Sequence, residues 1–176
     1  EKTRIRWIRG TSLSDHRAVL VPAVLTLFPY EWLHSELITE PISTGLACGP
    51  SWEEALISGI CEVIERESFV IAWYNQLQSP RLDLDSVKDE NVQLMLGLFR
   101  DAGIQIVVND ITSDLGVPTY LVSGVKKNRL VALACSCKSN STRALIGALE
   151  EAAQTTGLFL QATPREELLL DFRKVV

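Results

Sequence analysis

No block of lysines and arginines stands out anywhere in these 176 residues, and 17 basic side chains against 22 acidic ones leave a net charge of -5. A chain of that balance lacks the cationic footprint that phosphate backbones select, which argues against nucleic acid as a partner. No run approaches the roughly 18 apolar residues of a membrane span, and the N-terminal stretch EKTRIRWIRG lacks the apolar core of a secretion signal. A cytoplasmic protein without a membrane partner is expected. There is no internal repeat and no low-complexity tract, and neither phosphate-binding signature, Gly-x4-Gly-Lys-Ser/Thr or Gly-x-Gly-x-x-Gly, occurs. Histidine is scarce: His16 falls in an expected turn and His34 in the polar stretch EWLHSEL, and both read as surface residues. Of the four cysteines, Cys48, Cys61, Cys135 and Cys137, none is expected in a disulfide; without a secretion signal they read as buried free thiols. Cys135 and Cys137 would share one face of a strand, at a spacing tighter than zinc pairs use.

What is present is enough apolar content, 47%, to bury one core, so a single domain over residues 1–176 is expected. RIRWIRG alternates and RAVLVPAVLTLF is β-branched and apolar; both read as strands, the second interrupted or at an edge because Pro22 removes a ladder donor. Pro41, Gly45, Gly49 and Pro50 mark a loop. Ser51 with Glu54 three residues on is a capping-box start, and only Gly59 interrupts a helix from there to about Leu77. A second helix, about Asp89 to Asp101, carries Val92, Leu94, Met95, Leu98 and Phe99 at helical spacing and stops at Gly103. IQIVVNDI, VPTYLVSGV and RLVALACSC read as three strands. A third helix opens on Asn140 or Ser141 and closes on Gly157, and a short one is expected after Pro164. This order predicts an α+β (mixed α/β) domain with helices packed on a largely antiparallel sheet.

The first helix raises the functional question. CGPSWEEALISGICEVIERESF holds five glutamates in a segment otherwise apolar on several sides, and carboxylates are seldom buried without a partner. At 100° per residue Glu54, Glu62 and Glu65 fall within about 80° of one another, while Glu53 and Glu67 point elsewhere and read as solvated. Like charges along one face destabilise a helix unless a cation neutralises them. Oxygen-only ligands suit magnesium, which takes one or two carboxylates together with substrate phosphates. Arg66, at the edge of the stripe, is placed to fork onto a phosphate or to hold a carboxylate. The alternative is a plain acidic face in water with Arg66 in a surface ion pair. Ahead of the helix, STGLACGP puts two glycines before a helix N-terminus, where backbone N–H groups favour anions, although a plain connection has the same composition.

These residues also carry a likeness. STGLACGPSWEEALISGICEVIERESF, dense from Ser43 to Arg66, resembles the signature segment of the YcaO family, in which a loop of the form Ser-Asn-Gly-Leu-Ala-x-Gly leads into Glu-Ala-x5–6-Gly-Leu-x-Glu-x-x-Glu-Arg. WIRGTSLSDHRAVLVPA resembles the strand pair before that segment, and DAGIQIVVNDITSDLGVPTYLVSGV the strand-turn-strand after it. ALIGALEEAAQ resembles the later Ala-Leu-x-x-Ala-Leu-x-Glu-x-x-Gln helix, so the likeness covers nearly the whole chain in family order. It implies binding of ATP with magnesium to activate a backbone amide of a peptide: a nucleophile attacks the carbonyl, the resulting oxygen is phosphorylated, and phosphate leaves. A Cys, Ser or Thr side chain as nucleophile gives an azoline, as in thiazole/oxazole-modified peptides and bacteriocin biosynthesis; external sulfide gives a thioamide. The likeness further implies that Glu54, Glu62 and Glu65 hold magnesium, that Glu54 and Arg66 contact the nucleotide, and that Ser43, Gly45, Ala47 and Gly49 line its pocket. A precursor peptide and a protein that presents it are the implied partners.

Pro50 stands where many members of that family have a polar residue, and their additional upstream acidic segment and proline-rich ending are not in this chain. A fragment of a longer cyclodehydratase is therefore expected, with surface through which copies can form a homo-oligomer. The second class of function is a non-catalytic YcaO-like module that binds nucleotide or a partner without turnover. Intact Glu54, Glu62, Glu65 and Arg66 favour the enzyme; Pro50 and the short chain favour the module.

Overall fold

The computed structural model describes residues 5–31 and 42–161, the side chains of 158–161 excepted; His34 and the segment after Pro164 lie outside them. The chain divides into two compact units between Leu46 and Ala47. In the first, Trp7–Thr11 (β1) and Ala18–Pro22 (β2) pair antiparallel, with Trp7 opposite Pro22 and Thr11 opposite Ala18. The reversal is tied by the Ser12 N–H to the Arg17 carbonyl at 2.8 Å, and His16 takes φ +57° within it, exposed as expected. Pro22 has no N–H for a further rung, and the chain passes into one 3-10 turn, Ala23–Leu25, that buries Ala23 and Val24. RAVLVPAVLTLF is thus strand only in its first half.

The second unit holds three helices and a three-stranded sheet. Ser51 caps α1, Trp52–Tyr74, its Oγ accepting the Glu54 N–H at 3.2 Å, so the capping residue is the one the sequence marks. The helix stops short of Leu77 because Asn75 turns both its N–H (3.2 Å) and its side-chain amide (2.9 Å) onto the Ile71 carbonyl, and Gln76 adopts φ +50°. α2, Glu90–Asp101, is capped by the Asp89 carboxylate and followed by Gly103 at φ +70°. β3 (Gln105–Asp110), β4 (Thr119–Lys126) and β5 (Arg129–Cys137) pair antiparallel in that order, as the sequence predicts. α3, Ser141–Gln161, opens on Asn140, whose Oδ1 accepts the Arg143 N–H at 3.0 Å. It does not close on Gly157. A glycine inside a helix costs only about 1 kcal/mol, which a further turn of backbone bonds offsets.

Alternation sorts β4 and β5 onto two faces. Val122, Ala132 and Ala134 meet Val92, Leu96 and Phe99 of α2 and Leu145, Ala148 and Leu149 of α3. Leu121, Leu133 and Cys135 turn to Phe69 and Ala72 of α1 on the opposite face. The unit is therefore a layered α+β fold with α1 on one side of the sheet and α2 with α3 on the other. α3 lies close on β5 because residue 147 has no side chain: a Cβ there would stand 2.6 Å from Ser136 Oγ and 3.3 Å from Ser136 Cβ. Among the described residues no helix is long and apolar enough to cross a membrane.

Candidate active site at the edge of the sheet

Among the described residues β5 is an edge strand. The Lys138 N–H turns inward to the Pro118 carbonyl at 3.2 Å, so the preceding N–H, that of Cys137, faces away from β4. Glu65 of α1 receives it, Oε2 accepting at 3.0 Å. Glu65 is only 7% exposed. Burial lifts its carboxyl from 4.5 to about 6; the Cys137 N–H, Arg66 and Lys138 oppose that rise, and the negative charge of Glu151 adds to it. Glu62, one turn earlier, is half-buried. Arg66 stands beside both, Nε 3.7 Å from Glu65 Oε1 and Nη2 3.9 Å from Glu62 Oε1. Ion pairs that long on an exposed guanidinium are worth about 1 kcal/mol at most, so Arg66 is loosely held.

Glu151 of α3 lies nearby but is exposed. Partial desolvation raises its carboxyl, Arg66 and Lys138 work against the rise, and Glu62 adds to it. Two helices on opposite faces of the sheet thus bring three carboxylates and two cations together at the end of β5. Glu151 and Lys138 were missed from sequence. A signal for Glu151 existed, since it falls on the glutamate of the Ala-Leu-x-x-Ala-Leu-x-Glu-x-x-Gln pattern in ALIGALEEAAQ; nothing in the sequence signals Lys138.

Glu54 stands apart. It is exposed on the first turn of α1, eleven residues and about 16 Å along the axis from Glu65, so the two cannot close on one ion. Gly49 abuts it: a Cβ on Gly49 would lie 2.7 Å from the Ala55 nitrogen and 3.1 Å from Glu54 Cβ, so only glycine fits there. In the first unit, the Leu46 N–H bonds the Ser43 carbonyl at 2.9 Å and Gly45 holds φ +84°, the third position of a tight turn that demands positive φ. Ser43 and Gly45 belong to that unit, Ala47 and Gly49 to the second. All four cysteines are free; Cys61 and Cys137 are buried and Cys135 half-buried, whereas Cys48, expected inside, is exposed on the loop. Burial pushes the Cys135 and Cys137 thiols up, away from thiolate reactivity.

The donor set fits a hard divalent cation. It is oxygen only, and its buried carboxyl, Glu65, is penalised when ionised, a penalty that a cation relieves. It is not a closed cage: among the described residues no group of three or more His, Cys, Asp or Glu side chains is gathered tightly enough to hold a metal. Glu62 and Glu65, one turn apart on α1, are the carboxylates that would serve a magnesium ion taking only one or two protein ligands.

Comparison with known proteins agrees with this chemistry. Residues 1–175 match the family described as YcaO cyclodehydratase, ATP- and Mg2+-binding. An uncharacterised protein in the tfuA 3′ region of Rhizobium leguminosarum bv. trifolii is 30% identical over 86% of the chain, which spans 39% of that relative's length. A heterocyclase solved in complex with substrate and cofactor superposes with a TM-score of 0.81 at 28% identity, covering 96% of this chain and 23% of its own. YcaO from Methanopyrus kandleri, bound with AMPPCP and Mg2+, superposes with a TM-score of 0.74 at 24% identity, over 99% of this chain and 48% of its own. Matched along essentially its whole length, and with acidic residues where the family's Glu-x-x-Glu-Arg and Glu-x-x-Gln patterns put them, the chain belongs to the YcaO cyclodehydratase family, whose cofactors are ATP and Mg2+.

Proposed function

We propose that the chain is the nucleotide-binding part of a cytoplasmic ATP- and Mg2+-dependent enzyme that activates backbone amides of a precursor peptide, forming azolines from Cys, Ser or Thr or a thioamide from sulfide. A second protein presents the peptide, and copies of the enzyme associate as a homo-oligomer. One observation carries the reading. Glu65 is a buried carboxylate anchored to the free N–H of an edge strand and facing Glu62, Arg66 and Glu151. A side chain held that firmly in an ionisation-penalising place suits a ligand that restores the lost solvation. Family membership and the 28% identical heterocyclase support the same chemistry.

In this reading Glu62 and Glu65 would hold magnesium, with Glu151 as a further negative charge nearby, and Arg66 would leave its long pairs for a phosphate oxygen. Glu54, with the loop residues Ala47 and Gly49 of the same unit, would line the nucleotide side. A magnesium ion held there would supply positive charge against the negative charge that grows during phosphoryl transfer. The residues themselves supply position and electrostatics; no histidine is required. A module that binds nucleotide without turnover is the second reading, favoured by the open metal site. Titrating ATP into the intact protein with and without Mg2+ tests the binding. Glu62→Gln is expected to abolish the magnesium-dependent part, whereas a solvated surface glutamate would tolerate the change within about half a kcal/mol. Phosphate release that depends on a precursor peptide separates enzyme from module.

A further inference from the structure

The same strand end carries a cation that nothing above puts to use. Lys138 follows the last residue of β5, and its backbone is fixed by the 3.2 Å bond from its N–H to the Pro118 carbonyl. Two residues beyond Ser136, it sends its side chain to the same face of the strand, toward α3. There its Cε passes 3.8 Å from the place a Cβ on residue 147 would occupy. Gly147 is thus the gap through which the lysine runs. Glu151 stands one turn further along α3, and helical side chains lean back toward the N-terminus, so its carboxyl comes toward the level of the lysine. On the other side, the residue before Lys138 gives its N–H to Glu65.

The lysine therefore stands between the carboxylates of two helices without being tied to either. It is exposed, and among the described residues it forms no ion pair as short as 4 Å. Arg66, by contrast, already faces Glu62 and Glu65. A polyphosphate brings more negative charge than one magnesium ion cancels, into a place where three carboxylates already stand. A mobile ammonium at its border is what such a ligand recruits, since lysine binds phosphate as a point charge with rotatable donors.

We propose that Lys138 is a nucleotide-binding residue that contacts a phosphate oxygen of the bound polyphosphate beside the metal site. This rests on the ATP/Mg2+ reading of that site. The test uses the intact protein and calorimetric titration of ATP and of adenosine with Mg2+ present, on Lys138→Ala, Lys138→Arg and Glu62→Gln. Lys138→Ala is expected to weaken ATP at least tenfold and to leave adenosine affinity and the melting curve unchanged, and Lys138→Arg to recover most of the loss. ATP affinity within twofold of the parent in Lys138→Ala, with binding lost in Glu62→Gln, overturns the role of Lys138 and leaves the site reading standing. An equal loss for ATP and adenosine also overturns it, because that is the mark of a structural residue. A parent protein that binds no nucleotide overturns both.

Discussion

Replacing Glu65 by glutamine pulls stability and ligand binding in opposite directions, and the sizes follow from its surroundings. The carboxyl titrates near 4.5 when solvated and at about 6 in the folded protein, chiefly because it is buried. A folded value above the unfolded one means that the native state holds the proton more tightly. The ionised form is therefore a cost of folding, absent below about pH 4.5, growing through the window up to about 6, and complete above it. That difference is worth about 2 kcal/mol at 1.36 kcal/mol per pH unit. Glutamine keeps an oxygen to accept the Cys137 N–H but cannot ionise. Urea denaturation without ligand should find the variant more stable by up to about 2 kcal/mol at pH 7.5, which for a chain of this length is about 4–8 °C in Tm. The gap should close as pH falls toward 4.5. Adding Mg2+ and ATP should reverse the order, since a ligand at a hundredfold its Kd stabilises the parent by about 2.7 kcal/mol and the variant not at all. A variant no more stable than the parent at pH 7.5, or a gap that does not change with pH, refutes the reasoning.

Other substitutions test the neighbourhood. Ser68 is 3% exposed and its Oγ has no hydrogen-bond partner among the described residues, so Ser68→Ala should stabilise the protein by about 1 kcal/mol in denaturant titration; a loss would show that the hydroxyl is satisfied after all. Gly147→Ala forces a Cβ to 2.6 Å from Ser136 Oγ and should cost about 1–3 kcal/mol, with part of the loss recovered in the double variant Gly147→Ala, Ser136→Ala; simple additivity would refute the contact. Magnesium-dependent ATP affinity should fall as pH drops below about 6, because Glu65 must release its proton to bind a cation, and a flat profile between pH 5 and 7.5 would remove Glu65 from the metal site.

Element types were legible because each helix start announces itself chemically. Ser51 is a cap in sequence and in space, Asn140 is one of the two residues the sequence offers, and Asp89, read as the first residue of its helix, is its cap. Boundaries set by competition were less so. Gly157 reads as a stop, yet one glycine cannot end a helix whose next turn still gains its hydrogen bonds, and Asn75 ends α1 through a side-chain bond that no pattern of hydrophobicity encodes. Of the site, Glu62, Glu65 and Arg66 share a single helix, so 3.6-residue periodicity alone was enough to group them. Periodicity also put Glu54 on the same face, because it measures angle and ignores the 16 Å of rise. Glu151 and Lys138 join the group only through the antiparallel register of β4 on β5 and the close approach of α3 at Gly147, which are long-range facts.

The arrangement also explains why an acidic stripe can sit in an otherwise apolar helix. Cys61, Glu65, Ser68 and Ala72 recur at intervals of four, three and four residues and are the part of α1 that is buried with the sheet, while Trp52, Val63, Val70 and Tyr74 lie exposed on the opposite face. The usual amphipathic polarity is inverted. α1 is seated on the sheet by a small hydrophobic contact, Phe69 and Ala72 against Leu121 and Leu133, together with small side chains and one hydrogen bond. Cys61, Ser68 and Ala72 are slim enough to bring the helix backbone near β5, and only at that separation can a glutamate reach the Cys137 N–H. The free donor of the edge strand and the shortened side chains around Glu65 are thus two halves of one device. It fixes a carboxylate where water is scarce and leaves its second oxygen facing the cations, at the cost of a helix whose apolar side is left for something else to cover.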